Sequence, residues 1–322
     1  MQSVERGSLR EKMGFSSYFL GLKDGEKIVG VGLLVEKDGE AWVQLGPILD
    51  WEDRKIVKRF LEGIVEFSKE KGFLRLEIYP PVLLSIRDME GKKTEEFKRE
   101  KLFDVFSKIG FKYKGETVET DFKALRWMFV KDLSGFKDMR EVELSFNAST
   151  RKKLHQTQRE LDVRQVTEKA ELKNWIKPLQ ESNERNGIKT RDLKYFEDMW
   201  DTFGEKVMFI EAVKKDTGEI VASEVDVWHK NELVAFLAGM IEKFKKENGV
   251  TAIKGWQMEK CLEKKQKRLN LYGVDGVFSM DNPLLRTKSG FSGVVEEYIG
   301  GFIMTIRPVK YVMMKIKRKL KR

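Results

Sequence analysis

The sequence predicts an α+β fold in which two similar units follow one another, and three observations lead to this prediction. The chain has 322 residues, about twice the usual size of a domain. It is 41% hydrophobic and 35% charged, a balance typical of folded domains with a buried core. A pattern of strand, polar turn, strand, polar turn and strand occurs twice, at Tyr18–Pro47 and at Met208–Gly239. Two copies of one folded unit explain the length and the repeated pattern.

The elements around these two patterns also correspond. In each copy the first turn contains a glycine, Gly25 or Gly218, which supplies the positive φ that tight turns need. Apolar residues at helical spacing then predict a helix over Asp50–Lys71, and the later copy has a less regular helical pattern over Gly249–Arg268. Short strands are predicted next, at Leu74–Tyr79 and Leu269–Tyr272.

An antiparallel meander followed by a helix and further strands is typical of N-acyltransferases. The sequence therefore predicts a tandem pair of GNAT-like domains, with mixed sheets flanked by helices. We place the first domain at residues 1–138 and the second at 139–302, with a linker near Asp132–Glu141, and we expect helices over Ser149–Phe203. Residues 303–322 either pack back on the first domain or form a basic tail. A chance likeness between two amphipathic hairpins is the alternative.

Composition and motifs exclude several classes of site. The single cysteine, Cys261, excludes a disulfide framework and CxxC metal sites and indicates a reducing compartment. His155 and His229 lie in polar segments, where structural roles are the expectation, so we expect no metal. No apolar run is long enough to span a bilayer and no signal peptide begins the chain, which predicts a cytoplasmic protein.

No nucleotide-binding loop is found in the sequence. Coenzyme-A enzymes of this fold hold the pyrophosphate on a glycine loop at a helix N-terminus, and neither half contains that loop. Walker and GxGxxG motifs are also missing. We therefore expect no coenzyme A, ATP or dinucleotide cofactor.

Two motifs carry a resemblance to a known family. Asn183–Phe196 (NERNGIKTRDLKYF) and Asn282–Phe302 (NPLLRTKSGFSGVVEEYIGGF) resemble segments of the Fem family (FemABX-type) of peptidoglycan bridge-forming aminoacyltransferases. Leu45–Asp50 resembles the Gly-Pro segment of that family's first domain, and residues 1–15 resemble its opening helix. The family's fold is a tandem pair of acyltransferase domains. Because few residues separate Phe196 from the strand expected at Val207, this chain resembles a short form without the family's helical arm.

The resemblance implies a reaction. Fem enzymes transfer an amino acid from aminoacyl-tRNA, here a co-substrate, to the stem-peptide amine of a peptidoglycan precursor. The acceptor is lipid II or UDP-MurNAc-pentapeptide. An aminoacyl ester is already activated, so such an enzyme needs positioning and charge stabilisation more than a strong nucleophile.

The resemblance also assigns residues. Lys288 matches the family's lysine at the reacting centre, with the role of stabilising the oxyanion or the leaving tRNA hydroxyl. Arg191 matches an arginine that contacts the acceptor's diphosphate, and Tyr195, four residues on, is expected on the same helical face. Arg10 falls where the family has a phosphate-contacting lysine. We expect Leu284–Phe291 to pass from loop to strand, because Asn282-Pro283 breaks regular structure.

Two departures keep alternatives open. Family members can have a tyrosine just before the Ala238-Gly239 pair, where this chain has Phe236-Leu237. The aromatic residue often found before the key lysine is Thr287 here. One alternative is a non-catalytic tRNA- or membrane-binding homologue. The other is a coenzyme-A-dependent N-acetyltransferase, against which the missing glycine loop argues.

The C-terminal segment carries most of the net charge. The whole chain has a net charge of +10, and Arg307–Arg322 contains eight basic residues and no acidic one. Five apolar residues at helical spacing alternate with the basic ones. Such a helix suits either an anionic membrane surface or a phosphate backbone, and a frayed tail is the alternative. The prediction is a cytoplasmic protein with peripheral contact at the inner face of the membrane.

Overall fold

The computed structural model describes residues 2–115, 125–279 and 281–320. Its strands are β1 (Ser16–Asp24), β2 (Lys27–Lys37), β3 (Glu40–Gln44), β4 (Ile48–Leu49), β5 (Arg75–Tyr79), β6 (Leu83–Arg87), β7 (Lys93–Glu96), β8 (Lys112–Tyr113), β9 (Trp127–Asp132), β10 (Leu161–Gln165), β11 (Val207–Lys214), β12 (Ile220–His229), β13 (Glu232–Met240), β14 (Arg268–Gly273), β15 (Val294–Tyr298) and β16 (Phe302–Thr305). Its α-helices are α1 (Val4–Lys12), α2 (Arg54–Glu70), α3 (Glu100–Ile109), α4 (Met139–Ser145), α5 (Ala148–Glu160), α6 (Leu172–Arg185), α7 (Leu193–Phe203), α8 (Gly249–Glu263), α9 (Pro283–Ser289) and α10 (Pro308–Leu320).

The chain divides into two compact units, and each unit is built from more than one segment of the sequence. Unit 1 comprises Met1–Arg87, Lys93–Trp127 and Glu296–Arg322. Unit 2 comprises Asp88–Lys92 and Met128–Val295. The divisions at Trp127 and Val295 fall inside β9 and β15, so the chain passes between units along strands.

Unit 1 contains a sheet with the order β1-β2-β3-β5-β16-β8, and β4 pairs with β2. The first three strands form an antiparallel meander, whereas β3 and β5 are parallel, because α2 connects them. The C-terminal segment contributes to this unit through β16, which pairs with β5 and β8. The last two residues of the predicted basic tail, Lys321 and Arg322, lie outside the described residues.

The core of unit 1 lies between this sheet and two helices. Asp53 caps α2 by accepting hydrogen bonds from the amides of Lys55 and Ile56. The buried face of α2 recurs at helical spacing and includes Phe60 and Leu61. Phe106 of α3 and Phe302 of β16 are two of the large buried side chains in the same core. Their rings stack with centroids 3.8 Å apart.

Unit 2 repeats the arrangement. Its strand order is β10-β11-β12-β13-β14-β9, with β11, β12 and β13 as the antiparallel meander and α8 connecting β13 to the parallel strand β14. Each sheet thus mixes parallel and antiparallel pairs, and the prediction of a mixed α+β fold with a repeated meander is confirmed. Buried Trp175 on α6 donates to the carbonyl of Ile210 over 2.9 Å and fixes that helix against β11.

Three local predictions are wrong. Leu284–Phe291 does not become a strand, because Asn282 caps α9 and Pro283 occupies its first turn, where proline needs no amide hydrogen. Arg191 is not on a helix, since α7 begins only at Leu193 behind the cap Asp192. Ser149–Phe203 is interrupted by β10, which pairs with β11. Between α7 and β11 the chain makes one short turn, so residues 193–214 contain no helical hairpin.

Candidate active site in the second unit

Lys288 lies near a buried cluster of charged side chains from two elements of unit 2. The cluster contains Glu224 on β12 and Lys254 on α8, which form an ion pair with both side chains almost inaccessible to solvent. Lys288, near the end of α9, donates from Nζ to the carbonyl oxygen of Gly273 over 2.7 Å. This carbonyl belongs to the last residue of β14, so the hydrogen bond fixes the lysine to the end of that strand.

Sequence periodicity explains why the cluster forms. Glu224 and Asp226 are two residues apart on a strand, so their side chains share one face of the sheet. Lys254 and Gln257 are three residues apart on α8 and share one face of that helix. Gln257 donates from Nε2 to Oδ2 of Asp226 over 2.6 Å. The polar residues of β12 and those of α8 therefore contact one another inside the otherwise apolar interface between the strand and the helix.

The carboxyl group of Asp226 has an unusual environment. Burial, and then the charge of Glu224, raise the pKa of Asp226 well above its ordinary value. The charge of Lys254 and the hydrogen bond from Gln257 oppose this rise. Oδ1 of Asp226 and Oε2 of Glu224 have no hydrogen-bond partner among the residues that the structure describes.

The pKa of Lys288 is lowered to about 7, mainly by burial and then by repulsion from the Lys254 ammonium. Glu224 and Asp275 oppose this effect and raise the pKa. Near neutral pH the side chain is therefore present both as ammonium and as free amine. Such a group can donate or accept a proton near neutral pH.

Arg191 and Tyr195 meet although Arg191 precedes the helix. The guanidinium carbon of Arg191 lies 4.4 Å from the centroid of the Tyr195 ring, a cation–π contact. Tyr195 is buried, and its hydroxyl has no hydrogen-bond partner among the residues that the structure describes. No carboxylate in the described ranges forms an ion pair with Arg191. A cation without a counter-ion beside an unsatisfied hydroxyl is suited to an oxyanion.

Arg10 belongs to unit 1 and has a different environment. It lies in the last turn of α1, and its guanidinium carbon is 5.1 Å from the centroid of Phe15. Lys37 approaches the same ring to 4.6 Å. Arg10 therefore forms part of a small basic and aromatic cluster at the end of α1.

Tyr272 was not anticipated from the sequence. It is buried at the end of β14, next to the carbonyl that anchors Lys288, and its backbone has a φ of +67°, unusual for a residue with a side chain. Its ring meets Phe236 edge to face, with centroids 5.3 Å apart. Phe236 of β13 thus has an aromatic neighbour, Tyr272, on the adjacent strand β14.

The structure brings some of the residues named from the sequence into contact. It joins Arg191 to Tyr195 and anchors Lys288 on α9, whereas Glu224, Asp226 and the two α8 residues that contact them were not named from the sequence. Their signal was available, since acids two apart within an apolar strand point to one buried face. No group of three metal-binding side chains occurs within residues 2–115, 125–279 and 281–320.

Comparison with known proteins gives the family. The sequence pattern of the FemAB family matches residues 1–213 and 210–319. Aminoacyltransferase FemB of Staphylococcus epidermidis (strain ATCC 12228 / FDA PCI 1200) is 23% identical in an alignment that covers 100% of this chain and 94% of FemB. The lipid II:glycine glycyltransferase of Staphylococcus haemolyticus (strain JCSC1435) is 26% identical over 191 residues, which is 57% of this chain and 42% of that enzyme.

Solved structures agree on the fold. The crystal structure of FemX superposes with a TM-score of 0.81 at 14% identity, covering 97% of this chain and 93% of FemX. A tandem GNAT protein from the clavulanic acid biosynthesis pathway gives a TM-score of 0.56 at 11% identity, covering 91% of this chain and 84% of that protein. The predicted tandem GNAT-like fold is therefore confirmed. Since the family pattern extends over nearly the whole sequence, the chain belongs to the FemAB family.

Proposed function

We propose that this protein is an aminoacyltransferase that moves an amino acid from aminoacyl-tRNA to the stem-peptide amine of a peptidoglycan precursor, lipid II or UDP-MurNAc-pentapeptide. Membership of the FemAB family and the names of its relatives support the reaction class. The observation that carries the proposal is Lys288, whose pKa of about 7 suits a group that exchanges protons during the reaction. The transferred amino acid builds the interpeptide bridge.

The reaction needs a proton to move from nitrogen to oxygen. Transfer forms an amide C–N bond and breaks the ester C–O bond to the tRNA ribose. The attacking nitrogen loses a proton and the ribose oxygen gains one. Lys288 as free amine accepts the first proton, and as ammonium it stabilises the oxyanion and then donates to the ribose oxygen. The side chain ends in the state in which it began.

Arg191 and Tyr195 are proposed to hold the acceptor. Both lipid II and the soluble nucleotide precursor carry a diphosphate, and a forked guanidinium can bind two of its oxygens together. Arg191 forms no ion pair with a described residue, and a ligand oxygen would satisfy the hydroxyl of Tyr195. Arg10, in the basic cluster of unit 1, is proposed separately to contact a phosphate group of a substrate.

One feature of unit 1 argues against the coenzyme-A alternative. The amides at the start of α2 are those that a pyrophosphate would need, and the Asp53 carboxylate already accepts from two of them. That carboxylate would also repel a pyrophosphate. An activated ester on tRNA requires no such loop.

The test is direct transfer. Purified protein is incubated with lipid II or with UDP-MurNAc-pentapeptide and a panel of tRNAs charged with glycine, alanine or serine, and the acceptor is analysed by mass spectrometry. We expect the mass of one residue to be added with at least one tRNA. Tyr195→Phe and Arg191→Ala proteins show whether the acceptor is held as proposed. No added residue with any combination, while tRNA is still bound, would favour the non-catalytic alternative.

A further inference from the structure

Helix α10 is attached to unit 1 along one side. Tyr311 is buried, and the guanidinium of Arg75 donates to its hydroxyl. Almost two turns further on, Arg318 reaches Asp38 over 3.3 Å and Glu40 over 3.2 Å. Tyr311 and Arg318 project in nearly the same direction, because seven residues make almost two helical turns. These contacts fix which side of the helix faces the protein.

The opposite side of α10 is apolar and exposed. At 100° per residue, its apolar side chains cover an arc centred almost opposite Tyr311 and Arg318. Each of them is more than half exposed: Val309, Val312, Met313, Ile316 and Leu320. An apolar stripe on this scale, pointing away from the protein that holds the helix, is not explained by the core of unit 1.

Lysines border this stripe on both sides. Lys319 lies at one margin and Lys310 and Lys317 lie at the other, and none of these three forms an ion pair with a described residue. The segment from Arg307 onward contains no acidic residue. The exposed face therefore combines an apolar centre with uncompensated positive margins.

We propose that α10 binds an anionic lipid surface, with its axis parallel to the membrane plane and its apolar stripe among the acyl chains. The helix is about 20 Å long, enough to lie in the interface and too short to cross it. Anionic headgroups complement the lysines at both margins. A nucleic-acid backbone would use the lysines but leave the apolar stripe exposed, and a second copy would bring like charges together.

This inference goes beyond the proposed function, because it requires no transfer activity. It also accounts for where the protein would meet an acceptor that carries a lipid tail. None of the residues that carry it belongs to the candidate active site. Its failure would leave the proposed reaction intact, and loss of the reaction would leave membrane binding intact.

The test uses sedimentation of the full-length protein with vesicles. Vesicles contain phosphatidylcholine alone or with phosphatidylglycerol, and binding is measured at low salt. We expect binding to the anionic vesicles, and we expect Val312→Ser/Ile316→Ser to weaken it by about tenfold or more. This double substitution changes no charge, so binding of tRNA should stay the same.

Ile28→Ser is the matched control, since Ile28 is an exposed apolar residue of unit 1 outside α10. It should bind vesicles as the unchanged protein does. Circular dichroism and a melting curve show that the variants keep their fold. Equal vesicle binding by the unchanged protein and by Val312→Ser/Ile316→Ser would overturn the proposal. The proposal would also be overturned if only Lys317→Gln/Lys319→Gln lost binding, and lost it for tRNA and not for vesicles. That result would assign the helix to nucleic acid.

Discussion

Burial has the largest effect on the pKa of Lys288 and lowers it, and charged neighbours act in both directions. Lys254 lowers the pKa further, whereas Glu224 and Asp275 raise it. The ion pair between Glu224 and Lys254 therefore helps to set the pKa of Lys288. In the proposed reaction neither member of this pair contacts a substrate. This account can be tested, because the effects of Glu224 and of Lys254 on the pKa of Lys288 can be changed separately by substitution.

The pH dependence of transfer should follow the free amine of Lys288. We expect kcat/KM to rise with pH through about 7, as the lysine loses its proton. Glu224→Gln removes the charge that raises this pKa, so the rise should move to lower pH by about one unit. The measurement is kcat/KM against pH for both proteins with the same acceptor, whose own ionisation is then common to both.

Asp226→Asn is the matched control for that experiment. The pKa of Asp226 is raised well above its ordinary value, which favours the neutral form, so the neutral amide is the closest replacement in charge and shape. Its pH profile should coincide with that of the unchanged enzyme. A shift as large as that of Glu224→Gln would show that packing, and not charge, sets the profile.

Removing the guanidinium of Arg191 should weaken acceptor binding. We expect Arg191→Ala to raise the acceptor KM by an amount equivalent to about 1.5–3 kcal/mol, the loss of a charged hydrogen bond, with a smaller change in kcat. Steady-state kinetics with varied acceptor check this. Lys189→Ala, which removes an exposed charge two residues away, should have little effect. An unchanged KM with a reduced kcat would contradict the diphosphate role.

At the scale of elements, α6 and β13 approach so closely that Gly239 is required between them. A β-carbon there would lie 2.4 Å from Cα of Leu179 and 2.6 Å from the carbonyl oxygen of Pro178. Both are backbone atoms, so neither can rotate away. This contact holds α6 onto the meander of unit 2.

Gly239→Ala should therefore destabilise the protein. We expect the free energy of unfolding to fall by about 1–3 kcal/mol, the usual effect of overpacking, measured by urea denaturation. Gly135→Ala is the control, since no atom lies within 4 Å of the corresponding position and its φ is ordinary. Equal midpoints for the two variants would mean that α6 moves easily away from β13.

The boundaries of elements show where sequence reasoning succeeded and failed. Amphipathic spacing predicted α2 well, because one apolar face must be buried. The same reasoning failed for α9, since Asn282-Pro283 was taken as an interruption although an asparagine cap followed by proline also begins a helix. Local signals of this kind have two meanings, and only the surrounding packing decides between them.

At the scale of the whole molecule, the internal repeat predicted the fold of both units. Its strands, connecting helices and parallel strands recur in each unit. The division of the chain was harder to foresee, because unit 1 includes Glu296–Arg322 and unit 2 includes Asp88–Lys92. Such exchanges depend on pairing between residues far apart in sequence. Periodicity, which is a local property, carries no information about that pairing.

The candidate site follows the same rule. Lys288, Arg191 and Tyr195 could be named from motifs, and Glu224 could have been suspected from its strand. The lowered pKa of Lys288 could not be predicted, because it depends on burial and on the charge of Lys254, which is distant in the sequence. In this lysine-rich chain, the pKa that distinguishes Lys288 is set by its surroundings in the fold, which its sequence motif does not show.

The measurement that tests the central claim most directly is a single-turnover transfer assay with Lys288→Met. Methionine keeps most of the volume of the side chain but can neither accept nor donate the proton. We expect the transfer rate to fall by about 10²–10³, with the acceptor KM and the melting temperature nearly unchanged. A variant that transfers at close to the normal rate, with a normal melting temperature, would contradict the role of Lys288 in the reaction.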